Sequence, residues 1–396
     1  MPNPTVEIAP GRTMRHALRG PAVLLLLAFA VAVLLPLAAT DFRGGQRLSA
    51  TEKRALAEFP KWSWDAGALD AFPARFEAAF NDRFGFRAPL VAWQSRVKVR
   101  ALGVPSTPGV VLGRDGWLYL AETVKEARGV VKTPPAEAEA WARYLAAKQA
   151  WLGAHGIAYL FVIVPNKERV YPEYLPENLC AVGGARFSDQ LVARLGREPG
   201  LEFLDLRSVL LNAKPRGLIF ERTDTHWSQL GAFLAANAIL ERLRGRFPEL
   251  HAPPLPDDLA EVTGPGGDLA VMLGLPGELT ERRQILTAFQ TAFHSAPMRL
   301  EVEWPTGSYH ELPRAFEAND AGLQHTLLLG GNSFTTGLLD FLPAHFRRVV
   351  RVRPVVPYPA WFQALTPRLV EAEKPDVVLD VLSERHLRKA PRWELP

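Results

Sequence analysis

With a single cysteine, Cys180, among 396 residues, the chain can form no internal disulfide, which excludes a small, disulfide-stapled architecture. Alone in a loop of mixed polarity, that thiol has no partner that would activate it and reads as a bystander. A long basic run is also lacking: 46 Lys and Arg stand against 42 Asp and Glu, a formal charge of +4 spread along the chain, so nothing suggests a nucleic-acid-binding surface. Internal repeats and low-complexity blocks are missing too, which rules out a solenoid. What remains is an ordinary globular composition, 48% apolar and 22% charged, and a length that suits one large domain or two modest ones.

Only one apolar run is long enough to cross a bilayer. Arg12, Arg15 and Arg19 precede an uncharged stretch from Gly20 to Thr40, and Asp41 and Arg43 follow it. About 20 residues span the hydrocarbon core as a helix, and leading positive charge keeps the N-terminus in the cytoplasm with the body exported. Leu37-Ala38-Ala39-Thr40 offers small residues that would also suit a signal peptidase; a signal anchor is the preferred expectation. This divides the chain into a basic segment over 1–19, a transmembrane helix over 20–40, a linker over 41–70 and a catalytic domain over 71–396.

In that domain Phe76, Phe80 and Phe84 recur at helical spacing, with Gly85 as the expected cap, and Val91 to Leu102 reads as another helix. Val110 to Leu120 suggests two short strands around an Asp115-Gly116 turn. Pro135 to Gly156 is a helix whose apolar side Lys148 interrupts, so its charge is expected to reach for water. Ile157 to Val164 is apolar without alternation, as in a strand buried on both faces. Helix–strand pairs then recur: Ala185–Leu195 with Leu201–Leu206, and Thr335–Phe346 with Arg348–Val352. Tyr358–Ala372 with Asp376–Leu382 completes the set. A helix over Ser228–Phe247 and a strand over His325–Gly330 fit the same rhythm. The alternation predicts an α/β fold, a doubly wound parallel sheet with helices on both faces. Leu250 to Gln324, rich in Pro and Gly and β-like over Ala288–Trp304, reads as an insertion: a lid, a substrate wall or a packed addition.

Two short segments carry the chemistry. Ser333 follows the apolar run Thr326 to Gly331 and precedes a helix, so it would stand at the carboxyl end of a strand, where sites form in such sheets, with backbone N–H groups able to hold an oxyanion. Taken alone, a helix-capping serine is the plainer account. Thr223-Asp224-Thr225-His226-Trp227 adds a carboxylate and an imidazole two residues apart. A serine hydroxyl needs an imidazole to take its proton and a carboxylate to orient that imidazole, so Ser333, His226 and Asp224 are the candidate nucleophile, base and acid. Asp-x-His can also ligate zinc, but no second His or Cys cluster stands at ligand spacing, and neither a metal nor another cofactor is expected. Lys167, at the end of the Ile157–Val164 strand, could bind an anionic sugar or hold a loop carbonyl. Arg385, after the last strand, could contact a substrate carboxylate or pair with an internal acid.

Five stretches in this order resemble the SGNH-hydrolase-like alginate O-acetyltransferase family of the AlgX and AlgJ type. They are Phe80 to Arg87, Gly113 to Tyr119, Pro165-Asn166-Lys167 with Tyr171-Pro172, Thr223 to Trp227, and Gly331-Asn332-Ser333-Phe334. The likeness spans roughly residues 45–390. It implies transfer of acetyl groups to hydroxyls of an exported polysaccharide, alginate or a related polymer, through an acyl-serine on Ser333 with His226 as base and Asp224 as orienting acid. It also implies a multi-spanning membrane acyltransferase partner that supplies the acetyl groups, and a bacterial inner-membrane protein with its catalytic domain in the periplasm. Asn332 stands where the family usually has Asp; together with Lys167 and Arg385 it is a candidate for substrate or oxyanion contact. With 63 residues after Ser333, the chain resembles the single-domain anchored members. The same triad would serve an acetylesterase, and a non-catalytic polysaccharide-binding component of an export complex is the alternative without chemistry.

Overall fold

The computed structural model describes residues 19–42, 48–49, 54–179, 186–256, 259–286, 292–300, 313–353 and 360–391. Cys180, Arg12 and Arg15 lie outside these residues. The chain divides into two compact units, Met1–Trp93 and Gln94–Pro396.

In the first unit an apolar helix covers Arg19–Ala38, and its stretch Gly20–Ala38 is long and apolar enough to cross a membrane. A second helix, Ala66–Arg83, starts at an Asp65 cap whose carboxylate accepts from Ala68 N–H at 2.9 Å, the usual way to satisfy an orphan amide. The phenylalanine stripe does not bury a face. Phe76 is 41% exposed, and the rings of Phe72, Phe76 and Phe80 stack on one another at 6.0 and 6.2 Å. Gly85 is not the left-handed cap either: that conformation belongs to Phe86, at φ 59°. A glycine is needed at 85 for another reason, since a Cβ there would lie 2.2 Å from the Pro36 carbonyl oxygen.

The second unit is built on a seven-stranded sheet. Its strands are β1 (Ala158–Val164), β2 (Phe203–Asp205), β3 (Phe293–Ala296), β4 (Arg314–Ala318), β5 (Thr326–Gly331), β6 (Arg348–Val352) and β7 (Val377–Ser383). They lie side by side in the order β2-β1-β7-β5-β6-β4-β3. The run from β2 to β6 is parallel; β4 and β3 continue it antiparallel. The expected doubly wound parallel sheet is therefore the five consecutive strands from the β2 edge to β6, and the insertion supplies the antiparallel opposite edge. Side chains alternate between two cores, as strand geometry demands. Leu160, Val162, Leu327, Leu329, Leu379 and Val381 face one, with the helix Gln229–Leu243. Tyr159, Phe161, Leu328 and Val378 face the other, with the helices Pro135–Ala154 and Phe187–Leu195. Burying each such side chain contributes about 1.5–3 kcal/mol.

Two further expectations change. The helix foreseen over Thr335–Phe346 is one turn, Thr335–Leu338, followed by a tight turn at Leu342–Ala344. Phe341 leaves helical geometry at φ −127°, and Pro343 has no N–H to continue a helix. Lys148 does not reach water: it is 3% exposed, and its ammonium bonds to the Asp380 carboxylate on β7, which also accepts from Tyr159 O–H at 2.8 Å. Breaking such a pair strands a charge indoors. Lys148→Ala should cost about 3–5 kcal/mol in denaturant unfolding, while replacing Lys148 and Asp380 together by apolar residues should recover most of that loss.

Candidate active site

The segment Phe220 to Trp227 is a tight reversal. Phe220 and Trp227 form an antiparallel bridge, and Ser228 N–H donates to the Ile219 carbonyl at 2.9 Å. Ser228 then caps the helix Gln229–Leu243 by accepting from Gly231 N–H at 3.1 Å. Across the rim, β5 ends at Gly331, whose φ is 148° and whose Cβ, were there one, would lie 2.2 Å from the Val381 carbonyl. Only glycine fits there, and the sharp turn it permits lifts Ser333 out of the sheet.

The two segments meet. His226 Nε2 lies 2.6 Å from Ser333 Oγ, and His226 Nδ1 lies 2.6 Å from Asp224 Oδ1. All three side chains are partly buried, with 28% exposure left to His226 and 20% to Asp224. Burial alone would raise the Asp224 carboxyl. Hydrogen bonds from the His226 ring and from the backbone N–H groups of Asp268 and His226 instead hold it far below the carboxylate range, so it stays ionised and acceptor-only. The imidazole thus has its Nδ1 proton directed at Asp224 and Nε2 free to accept from the serine. Ser333 N–H has no partner among the described residues, as an oxyanion donor requires. The helix behind it has one turn and adds little dipole.

The other candidates fall differently. Lys167 is 4% exposed and donates to the carbonyls of Leu118 at 2.6 Å, Arg222 at 2.7 Å and Asp224 at 3.0 Å. Its three donors are spent on backbone carbonyls, two of them in the acid–base loop, leaving none for a sugar. Asn332 is 3% exposed and faces inward. Its amide donates to Ser383 Oγ and His386 Nδ1, both at 2.7 Å, and its carbonyl accepts from Phe334 N–H at 3.1 Å. Phe334 N–H needs an acceptor, which fixes the amide orientation. Burial, with Arg385 and other cations nearby, drives His386 down to about 3, so its Nδ1 is free to accept. Asn332 therefore braces the turn that carries Ser333 and points inward, away from the candidate site. Arg385 has no ion-pair or hydrogen-bond partner for its guanidinium among the described residues; it lies 5.6 Å over the Phe334 ring, next to the nucleophile.

Sequence reasoning missed the residues that hold the acid–base loop, all from the insertion. Glu281, wholly buried, accepts from the N–H groups of Arg222 at 3.0 Å and Thr223 at 2.6 Å. Gly267 N–H donates to Thr223 Oγ1 at 2.8 Å, and a Cβ on Gly267 would sit 2.4 Å from Asp224. Asp268 bonds Thr225 through N–H at 2.7 Å and hydroxyl at 2.6 Å. The glycines at 266 and 267 were legible only as loop markers; their use for close backbone approach beside an acid was the available signal. Asp224, His226 and Asp268 gather ligand-type atoms within 4.8 Å, but each of these carboxylate oxygens already accepts from an N–H or O–H group, and an ion would have to open the Asp224–His226 bond. The residues present do not fit a metal centre.

Four likenesses accompany this geometry. Residues 110–300 match a family described as SGNH hydrolase-like domain, acetyltransferase AlgX. A Pseudomonas aeruginosa protein named probable alginate O-acetylase AlgJ is 34% identical over 145 residues, 36% of this chain and 34% of that one. Its Pseudomonas fluorescens namesake is 37% identical over 170 residues, 42% of each. The chain spans about a third to a half of the length of such curated relatives. The solved O-acetyltransferase domain of Pseudomonas putida AlgJ is 26% identical, with a TM-score of 0.47 over 71% of this chain and 92% of that one.

Glu221, beside the loop, generates a test. Burial, with Glu281 close by, pushes its carboxyl up to about 8, and its Oε2 is buried without a partner. A carboxyl raised above its unfolded value of about 4.3 favours the fold while protonated. That contribution is complete below the unfolded value and disappears as pH rises through the folded one. Thermal unfolding across pH 6–9 should show the wild-type midpoint falling more steeply than that of Glu221→Gln, with the variant the more stable at pH 9.

Proposed function

We propose that this protein, whose residues 110–300 match the family described as SGNH hydrolase-like domain, acetyltransferase AlgX, moves acetyl groups onto hydroxyls of an exported polysaccharide, alginate or a related polymer. The observation that carries this reading is the continuous relay Asp224–His226–Ser333, each link 2.6 Å long. Ser333 Oγ attacks the acetyl carbonyl of the donor while His226 Nε2 takes its proton. The oxyanion that forms is met by the free N–H of Ser333, and His226 returns the proton to the departing group, leaving acetyl-Ser333. A sugar hydroxyl enters next; His226 takes its proton, the new ester forms, and Ser333 leaves with the proton restored.

Arg385 supplies charge recognition. A partly buried guanidinium that no acid bonds directly among the described residues favours an anionic group such as a uronate carboxylate, and its position beside Phe334 sets that group close to Ser333. The apolar helix of the first unit supports an anchored, exported enzyme: three arginines precede its apolar stretch, which favours an inner-membrane anchor with the body in the periplasm. Such a location calls for a membrane-embedded partner to deliver acetyl groups from inside.

Two outcomes are expected. Full-length Ser333→Ala should neither react with a serine-directed sulfonyl fluoride, read by intact mass, nor transfer acetyl from a chromogenic ester to an oligosaccharide. Wild-type levels of either would end the acyl-serine reading. Arg385→Gln should raise KM for an acidic oligosaccharide acceptor about tenfold and change turnover of a small neutral ester little; an unchanged KM would remove Arg385 from substrate contact.

A further inference from the structure

Asp268 belongs to a five-residue helix, Asp268–Met272, inside the insertion, yet it touches three consecutive residues of the acid–base loop. Its N–H donates to Asp224 Oδ2 at 2.9 Å. Its Oδ1 accepts from Thr225 N–H at 2.7 Å, and its Oδ2 accepts from Thr225 Oγ1 at 2.6 Å. The same Oδ2 lies 3.7 Å from His226 Nδ1, too far for a hydrogen bond and near enough for a direct charge interaction. Thr225 Oγ1 stands 3.3 Å from Nδ1; because its proton goes to Asp268, it does not compete for the Nδ1 position. The imidazole is left with one proton on that side, aimed at Asp224.

We propose that Asp268 is a second, positioning carboxylate of the catalytic apparatus, which orients His226 through Thr225 and adds a negative charge on the Nδ1 side of the imidazole. This rests on the reading of Ser333, His226 and Asp224 given above. The serine proton makes His226 cationic in the transition state, when two carboxylates rather than one face its Nδ1 edge. Asp224 bears the hydrogen bond; Asp268 contributes field and alignment. No bond to substrate is involved. The other charged or titratable groups around this edge are Lys167, Arg385 and His386. Lys167 is bonded to the Asp224 carbonyl, Arg385 faces both carboxylates from the end of β7, and His386 lies on the same turn as Arg385. None of these three is negative. Two further carboxyls lie by the loop, Glu281 on the amides of Arg222 and Thr223 and Glu221, which interacts with Asp224. Among the described residues, however, only Asp224 and Asp268 bring a carboxylate oxygen up to His226 Nδ1, so Asp268 is the second negative charge at that edge.

The test uses the full chain in detergent, with sulfonylation of Ser333 by a sulfonyl fluoride, acylation by a small acetyl ester and the pH–rate profile of that ester as readouts. Asp268→Asn keeps an acceptor for Thr225 N–H and removes the charge. We expect acylation to slow by about 10–100-fold with an unchanged ester KM. The acid limb of the profile should move to lower pH by about half a unit to one unit, since an imidazole with less negative surroundings holds its proton less tightly. Asp268→Glu should restore the acid limb and part of the rate. Thr225→Val, which keeps the charge and breaks the bridge, should slow acylation several-fold without moving the limb. Wild-type rate and profile in Asp268→Asn would overturn the proposal, as would an equal loss at every pH with the limb unmoved, which marks packing alone. If Asp268→Asn does not fold, Thr225→Val acylating at the wild-type rate overturns the positioning role. Ser333 labelling in the wild type separates these outcomes from a failure of the acyl-serine reading, which would abolish labelling in every variant.

Discussion

The candidate site depends on keeping one carboxylate within hydrogen-bonding reach of an imidazole. Asp224 sits in a polar reversal that no regular ladder supports, and a loop of that kind has conformational entropy to lose. Its fixation comes from outside. Backbone amides of His226 and Asp268 hold the two oxygens of Asp224, Glu281 holds the amides of Arg222 and Thr223, and the Lys167 ammonium gathers the carbonyls of Arg222 and Asp224. Donors and acceptors of five successive residues are thereby spoken for, and the imidazole inherits its orientation from them.

The insertion after the helix Gln229–Leu243 thus has two uses. Its first part, from Gly266 to Glu281, forms the underside of the acid–base loop. Its later part adds β3 and β4 to the sheet beyond β6. Neither use is that of a lid. Antiparallel edge strands also spare the parallel core an open flank, which leaves the carboxyl ends of β5 and β7, the strands that present Ser333 and Arg385, in the middle of the sheet.

Much of this was legible in the residues. Apolar runs without alternation marked β1, β5 and β7, because strands covered on both faces need no polar side. The pairing of Asp224 with His226 was readable because chemistry restricts which side chains can act together. What could not be read was long-range: that Asp268 and Glu281 come back to a loop 43 and 58 residues earlier, or that Lys148 finds Asp380 across 232 residues. Local pattern fixes which face a residue takes, not which distant partner waits there. Asn332 and Lys148 share one lesson: each was read as reaching outward, to substrate or to water, whereas each is buried and hydrogen-bonded inside, as interior polar groups must be. Lys167 takes the second of the two roles left open to it and holds loop carbonyls.

Lys167 leads one step further. Carbonyl oxygens from the first hairpin, the end of Glu221-Arg222 and the triad acid converge on its ammonium, much as peptide oxygens converge on an enclosed alkali ion. Here the cation is tethered by its own side chain to the end of β1. A diffusible ion in that position would make the shape of the loop answer to the salt of its surroundings. A covalently held one cannot be diluted or exchanged, so the loop draws on no ion from the surrounding salt, and its charge answers to pH instead, since burial pulls the Lys167 amine down to about 7.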